Sequence, residues 1–182
     1  MLHSGKLLVV PADDRTLVER AQMDDGSATT DKLIERYLRG ATLLRDAIAG
    51  MTPEQLAARP IAGKMSTTEV VCHVVDADQF MADRMKRTVA TERPLLIGVD
   101  GITYLKALRY AQRDLDLDLR LLEVTREQMA ADLWRLDAAS WERDAVHSEV
   151  GLVTLRGLLL HTIRHLERHI LAIEEKRTAL GL

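Results

Sequence analysis

A chain of 182 residues, 47% hydrophobic and 29% charged, suits one globular domain with a sizeable core and is short for two. Its net charge of −3 lacks the basic excess of a duplex-binding surface, and no apolar run is long enough to cross a bilayer, so neither nucleic acid nor membrane is expected as a partner. One cysteine, Cys72, excludes an intrachain disulfide, and KLLVV (residues 6–10) is too short for a signal-peptide core, which together suit a cytoplasmic protein.

Aromatics are scarce while Leu, Ala and Met abound, a composition that favours helices. Residues 1–27 show little periodicity and read as an N-terminal extension to a domain over 28–182. A first amphipathic helix is predicted from Thr30 to Ala49, with Leu33, Tyr37, Leu44 and Ile48 on its apolar side and Gly50 as its stop. Thr52, Pro53 and Gln55 form a capping-box start for a short helix, and Ser66 with Glu69 opens the second long helix, running to Ala90. ERPLLIGVDG reads as a loop. The third helix is predicted from Ile102 to Leu136 on the spacing of Leu105, Leu108, Leu115, Leu119, Leu122, Met129, Leu133 and Leu136. DAASWERDAVHSEVG is a connection holding at most one helical turn, and Thr154 caps a fourth helix reaching Lys176. The fold class is therefore all-α, a four-helix bundle with two long inter-helix connections.

DLDLDL (residues 114–119) imitates the D-x-D-x-D of a calcium loop. It lacks the turn glycine, has Thr125 where the bidentate glutamate belongs, and reads as the solvated acidic flank of the third helix. The histidines say more. HTIRHLERH places His161, His165 and His169 at i, i+4 and i+8. Neighbours four apart lie roughly 5–6 Å apart at Cβ and can grip one ion, whereas His161 and His169 are separated by about 12 Å along the axis. The helix thus supplies two ligands at most. On the helical wheel His169 lies nearest the apolar arc and His165 next, while His161 sits by Arg164 and Arg168, so the pair His165/His169 is favoured with His161 as the alternative.

A third ligand must come from elsewhere. His3 is in the leader and His147 in a connecting loop, where a solvent-exposed histidine is the expectation. His73, inside the second helix beside the stripe Val70, Val74, Met81 and Met85, is the best candidate, and Cys72 projects away from it. Asp78 points into the same stripe, which demands a partner such as an ion, a histidine N–H or Arg84. Asp78 is thereby a candidate catalytic or ligand-orienting carboxylate, a buried salt bridge being the equal alternative. An H-x-x-x-H pair on a helix is weak by itself, since late-helix histidines are favoured by the helix dipole in any case. The zinc-protease pattern is disfavoured, because Thr162 and Leu166 stand where its glutamate base would be.

Two stretches resemble the DinB/YfiT-like superfamily over roughly residues 30–176. RPIAGKMSTTEVVCHVVDAD is similar to the family's Pro–Gly–Lys–Trp–Ser helix start followed by His and two acidic residues. HSEVGLVTLRGLLLHTIRHLERHILAI is similar to its Gly–x–x–Thr–Leu start and closing His-x-x-x-His run. Met65 departs from the usual tryptophan, Ala172 from a common glutamine, and Arg168–His169 from a double histidine. The resemblance implies a four-helix bundle, often dimeric, with a divalent metal, nickel or zinc, held by His73, His165 and His169. It also implies a metal-dependent transferase or hydrolase acting on a small molecule, with a low-molecular-weight thiol as cosubstrate. A metal-binding or stress-response bundle without turnover, or a purely structural dimer, are the rival expectations.

Overall fold

The computed structural model describes residues 28–182, so the N-terminal extension and His3 lie outside it. In chain order the elements are α1 (Thr30–Ile48), α2 (Pro53–Ala57), α3 (Thr67–Ala90), β1 (Leu95–Leu96), α4 (Gly101–Ala107), a single 3-10 turn (Tyr110–Gln112), α5 (Leu115–Trp134), α6 (Ala138–Trp141), β2 (Asp144–His147), β3 (Gly151–Thr154) and α7 (Leu155–Ala179). The long helices α1, α3, α5 and α7 form the expected four-helix bundle. Among the described residues no helix is long and apolar enough to cross a membrane.

Local signals start these helices where the sequence places them. Both capping boxes form: Thr52 with Gln55, and Ser66 with Glu69, whose Oε2 accepts from Ser66 N–H at 2.8 Å. Thr154 caps α7 by accepting from Gly157 N–H at 3.0 Å. Each such cap contributes about 0.5–2 kcal/mol. Around the bundle, α1 neighbours α5 and α7, and α3 neighbours the same two, so α1 faces α3 across one diagonal and α5 faces α7 across the other. The links α1→α3 (49–66) and α5→α7 (135–154) join diagonal helices and so cross the bundle's end.

The third predicted helix is broken. It divides into α4, the 3-10 turn and α5, with Arg109 in the left-handed region (φ 51°) and Asp114 capping α5 through Asp116 N–H and Leu117 N–H. No Gly or Pro marks this break. Tertiary contacts make it: Tyr110 is buried and donates its hydroxyl to Asp76 on α3 (2.6 Å), and Arg113 bridges Asp76 (2.7 Å) and Asp118 (2.5 Å). The solvated acidic flank is corrected by the same contacts. Asp114 is a cap, and Asp118 is buried against Arg113.

The last connection also holds more than one turn. Besides α6, it forms a β2–β3 hairpin in the register Ala145↔Val153 and Val146↔Leu152, with Gly151 at φ 78° and β1 pairing in parallel through Leu95↔Val146. Leu96, Ala145 and Val153 face inward and seal one end of the core, while Leu95, Val146 and Leu152 face outward.

The core is two apolar clusters. One gathers Leu33, Ile34, Met81, Met85, Met129, Leu133, Leu159 and Ile163; the other Leu44, Val70, Val74, Leu119, Leu122, Leu166 and Ile173. Asp78 on α3 and Arg126 on α5 lie between the two, and the histidines His73 and His169 sit at the level of the second.

Candidate metal centre

α3 and α7 are bundle neighbours, which brings His73 against the histidine run. His73 Nε2 lies 3.2 Å from His165 Nε2. Ring centroids are 5.0 Å apart for His73–His165, 4.8 Å for His73–His169 and 4.5 Å for His165–His169. One nitrogen from each ring falls within 4.8 Å of the others, and among the described residues this is the cluster able to hold an ion. The residues fit such a group. A tetrahedral ion with metal–nitrogen bonds of about 2.0–2.1 Å sets its ligand nitrogens roughly 3.3 Å apart, close to the His73–His165 spacing. Three imidazoles and no carboxylate form a donor set suited to zinc or nickel rather than calcium or magnesium.

Electrostatics prepare the same nitrogens. Burial pushes the His165 imidazole well below its ordinary value, with His169 and His73 adding to the effect. Burial likewise pushes His169 down, to about 3, aided by His73 and Arg168. Neutral rings offer the lone pairs that metal binding requires. A pH dependence follows for the metal-free protein. The unfolded chain keeps these imidazoles near 6.5 and binds more protons than the fold below that pH, so stability falls as pH drops from about 6.5 toward 3. The slope is at most about 1.4 kcal/mol per pH unit for each histidine. Urea unfolding at pH 7, 5.5 and 4.5 measures it; a flat or rising stability toward acid contradicts the neutral, half-buried pair.

Beside the cluster lies a pocket of about 110 Å³ onto which His73 and His165 open, with Phe80, Tyr104, Asp76 and Arg84 among its walls. Phe80 and Tyr104 meet edge to face at 5.1 Å, and Asp76 is held by the Tyr110 hydroxyl and Arg113. His161 also lines this pocket, its ring stacked 6.1 Å from that of His165, and it is not part of the three-histidine cluster.

Asp78 has a partner that sequence reading did not name. Its Oδ1 accepts from Arg126 Nε (3.1 Å) and Nη2 (2.6 Å), and its Oδ2 accepts from the Tyr37 hydroxyl (3.3 Å). Burial pushes the Asp78 carboxyl up while the Arg126 guanidinium pulls against it. Arg84, one of the three partners the sequence offered, donates to the Ile97 carbonyl (2.7 Å). A signal for Arg126 was present: it falls on the stripe Leu119, Leu122, Met129, Leu133, a charge on an apolar helical face. His147 also departs from expectation. It sits in β2 at 6% exposure, its Nδ1 accepting from Glu149 N–H at 3.2 Å. Cys72 is buried 3.5 Å from the Tyr110 carbonyl, and burial pushes its thiol up, away from nucleophilic use.

The family model of the DinB superfamily matches residues 36–173. The chain belongs to the DinB superfamily. Its fold is similar to that of YfiT from Bacillus subtilis, a probable metal-dependent hydrolase with an unusual four-helix bundle topology. The TM-score is 0.81 at 23% identity, over 87% of this chain and 93% of that one. The mycothiol-dependent maleylpyruvate isomerase is similar at a TM-score of 0.64 and 10% identity, over 79% of this chain and 60% of that one. At these identities the likeness is one of fold. Among curated proteins none matches. The diagonal placement of α1 and α3 leaves α3 and its histidine beside α7.

Proposed function

We propose that this DinB-superfamily protein is a metal-dependent enzyme in which His73, His165 and His169 hold nickel or zinc, and that it acts on a small molecule as a thiol-dependent transferase or a hydrolase. The observation that carries the reading is the pocket beside the cluster: His73 and His165 face a space of about 110 Å³ rather than being closed over. Three protein ligands with room beside them is the pattern of catalytic sites, whereas structural sites are closed by four. When bound, a divalent ion there supplies a nucleophile near neutral pH by lowering the pKa of bound water or of a bound thiol. The names of the fold relatives, a probable metal-dependent hydrolase and a mycothiol-dependent isomerase, support both chemistries.

The chain's own side chains divide the remaining work. The Phe80–Tyr104 wall takes the apolar part of a substrate, and Asp76, held by Tyr110 and Arg113, presents a fixed carboxylate to it. Asp78 acts through the bundle, anchoring α3 to Arg126 and Tyr37 behind the histidines. A homodimer, expected from the family resemblance, is supported by the exposed stripe of Leu117, Leu121 and Val124 on α5.

The test is turnover by protein loaded with nickel or zinc, assayed for ester and amide hydrolysis and for transfer of a low-molecular-weight thiol to electrophilic acceptors. Activity that chelation abolishes and metal restores is expected in one of the two assays. Loaded protein inert in both favours the rival reading of a metal-binding bundle without turnover.

A further inference from the structure

We infer that Gly101, with the short helix α4 it opens, is a positioning residue for His73; the inference rests on the metal reading above. The backbone at 101 does not ask for glycine. The described glycines in the left-handed region are Gly50, Gly63, Gly151 and Gly181, and Gly101 is not among them. As the first residue of α4, directly after the cap Asp100, this position does not require glycine.

Space explains it. A Cβ at 101 would lie 2.8 Å from Cε1 and 2.9 Å from Nδ1 of His73. The His73 ring is thus caught between two surfaces. The backbone of α4 backs its Nδ1–Cε1 edge, and on the other side its Nε2 meets His165 at 3.2 Å.

The brace is itself fixed. Asp100 caps α4, accepting from Ile102 N–H (2.9 Å) and the Thr103 hydroxyl (2.6 Å). Tyr104 sets its ring edge to face with Phe80 on α3. Just upstream, Arg84 holds the Ile97 carbonyl (2.7 Å), and Gly98 N–H donates to Ser148 Oγ (2.9 Å) beside the hairpin. A methyl group at 101 therefore has no soft neighbour to displace. Ordinary carbon–carbon separation begins near 3.5 Å, so the ring or the helix must give by roughly 0.7 Å. Ligand constellations tolerate about 0.5 Å. The shift exceeds the tolerance, so His73 leaves the geometry it shares with His165 and His169.

The experiment uses the full chain as wild type, Gly101→Ala and Tyr104→Ala. Three quantities are measured: melting of the metal-free protein, nickel and zinc affinity by chelator competition, and the visible absorption of the cobalt-substituted form. Metal-free Gly101→Ala is expected to fold and to melt somewhat below the wild-type Tm, since the added methyl strains the packing of α4 on His73. Its metal affinity should fall about tenfold to a hundredfold, the range seen when outer partners of ligand histidines are disturbed, with shifted cobalt bands. Tyr104→Ala, which loosens the brace without adding bulk, should lose affinity by a smaller factor. Wild-type affinity and an unchanged cobalt spectrum in Gly101→Ala overturn the inference alone. Should that variant fail to fold, the same wild-type behaviour in Tyr104→Ala overturns it. Wild-type protein that takes up no metal overturns the metal reading, and this inference with it.

Discussion

Alanine at His73, His165 or His169 is expected to abolish stoichiometric nickel or zinc, while His161→Ala keeps it. Each of the three contributes one nitrogen to a set whose members lie within 4.8 Å of one another. Removing one leaves two protein ligands, and the loss of affinity should exceed the roughly tenfold to hundredfold that follows disturbance of outer partners. His161 is different in kind: it stacks on His165 from one turn earlier and lines the pocket. Elemental mass spectrometry on untagged protein, with the four variants in parallel, reads the result directly. Metal lost in His161→Ala and retained in His169→Ala would move the register by one turn. Metal-free wild type that refuses added nickel and zinc would remove the enzyme reading. Because an ion binding only the folded state stabilises it, the loaded wild type should also melt higher than the metal-free form, and the three ligand variants should show no such gap.

Arg126→Ala is expected to destabilise the bundle by about 3–5 kcal/mol, the usual consequence of breaking a buried pair by removing one partner. The guanidinium is 1% exposed and its carboxylate partner, Asp78, 2%. It also donates to the Tyr37 carbonyl at 2.5 Å and lies over the Tyr37 ring at 4.5 Å. Gly40 makes room for it, since a Cβ there would overlap Arg126 Nη1. In a domain of this size the loss corresponds to a fall in Tm on the order of 10 °C. The double variant Arg126→Met with Asp78→Leu removes both charges together, and much of the stability should return, because an apolar replacement for a whole buried pair is often neutral or better. Urea unfolding of the single and double variants separates the cases. An Arg126→Ala protein within about 1 kcal/mol of wild type would mean that the Asp78 charge is relieved by another route.

The sequence alone determined the helix starts and the bundle, although its periodicity carried the third helix through a break. Ser66 with Glu69, Thr52 with Gln55, and Thr154 each announce a helix start, because capping is a contact within three residues and is written in consecutive letters. The bundle itself follows from apolar spacing, and the preference for His165 and His169 over His161 from rotation about one helix axis. The family resemblance joined His73 to them. Tertiary structure decided the rest. The break at 108–114 carries no Gly or Pro and exists because Tyr110 and Arg113 reach Asp76 on another helix. The hairpin of β2 and β3 needs the partner β1 from fifty residues away to complete its sheet, so neither short strand declares itself. Asp78 showed that it required a partner but not which one, since Arg126 lies 48 residues away on α5 and meets it only when α3 and α5 pack side by side. Gly101 looked like loop punctuation until His73 was found against it. Contacts between distant segments depend on where whole helices stop and turn, and no window of neighbouring residues contains that information.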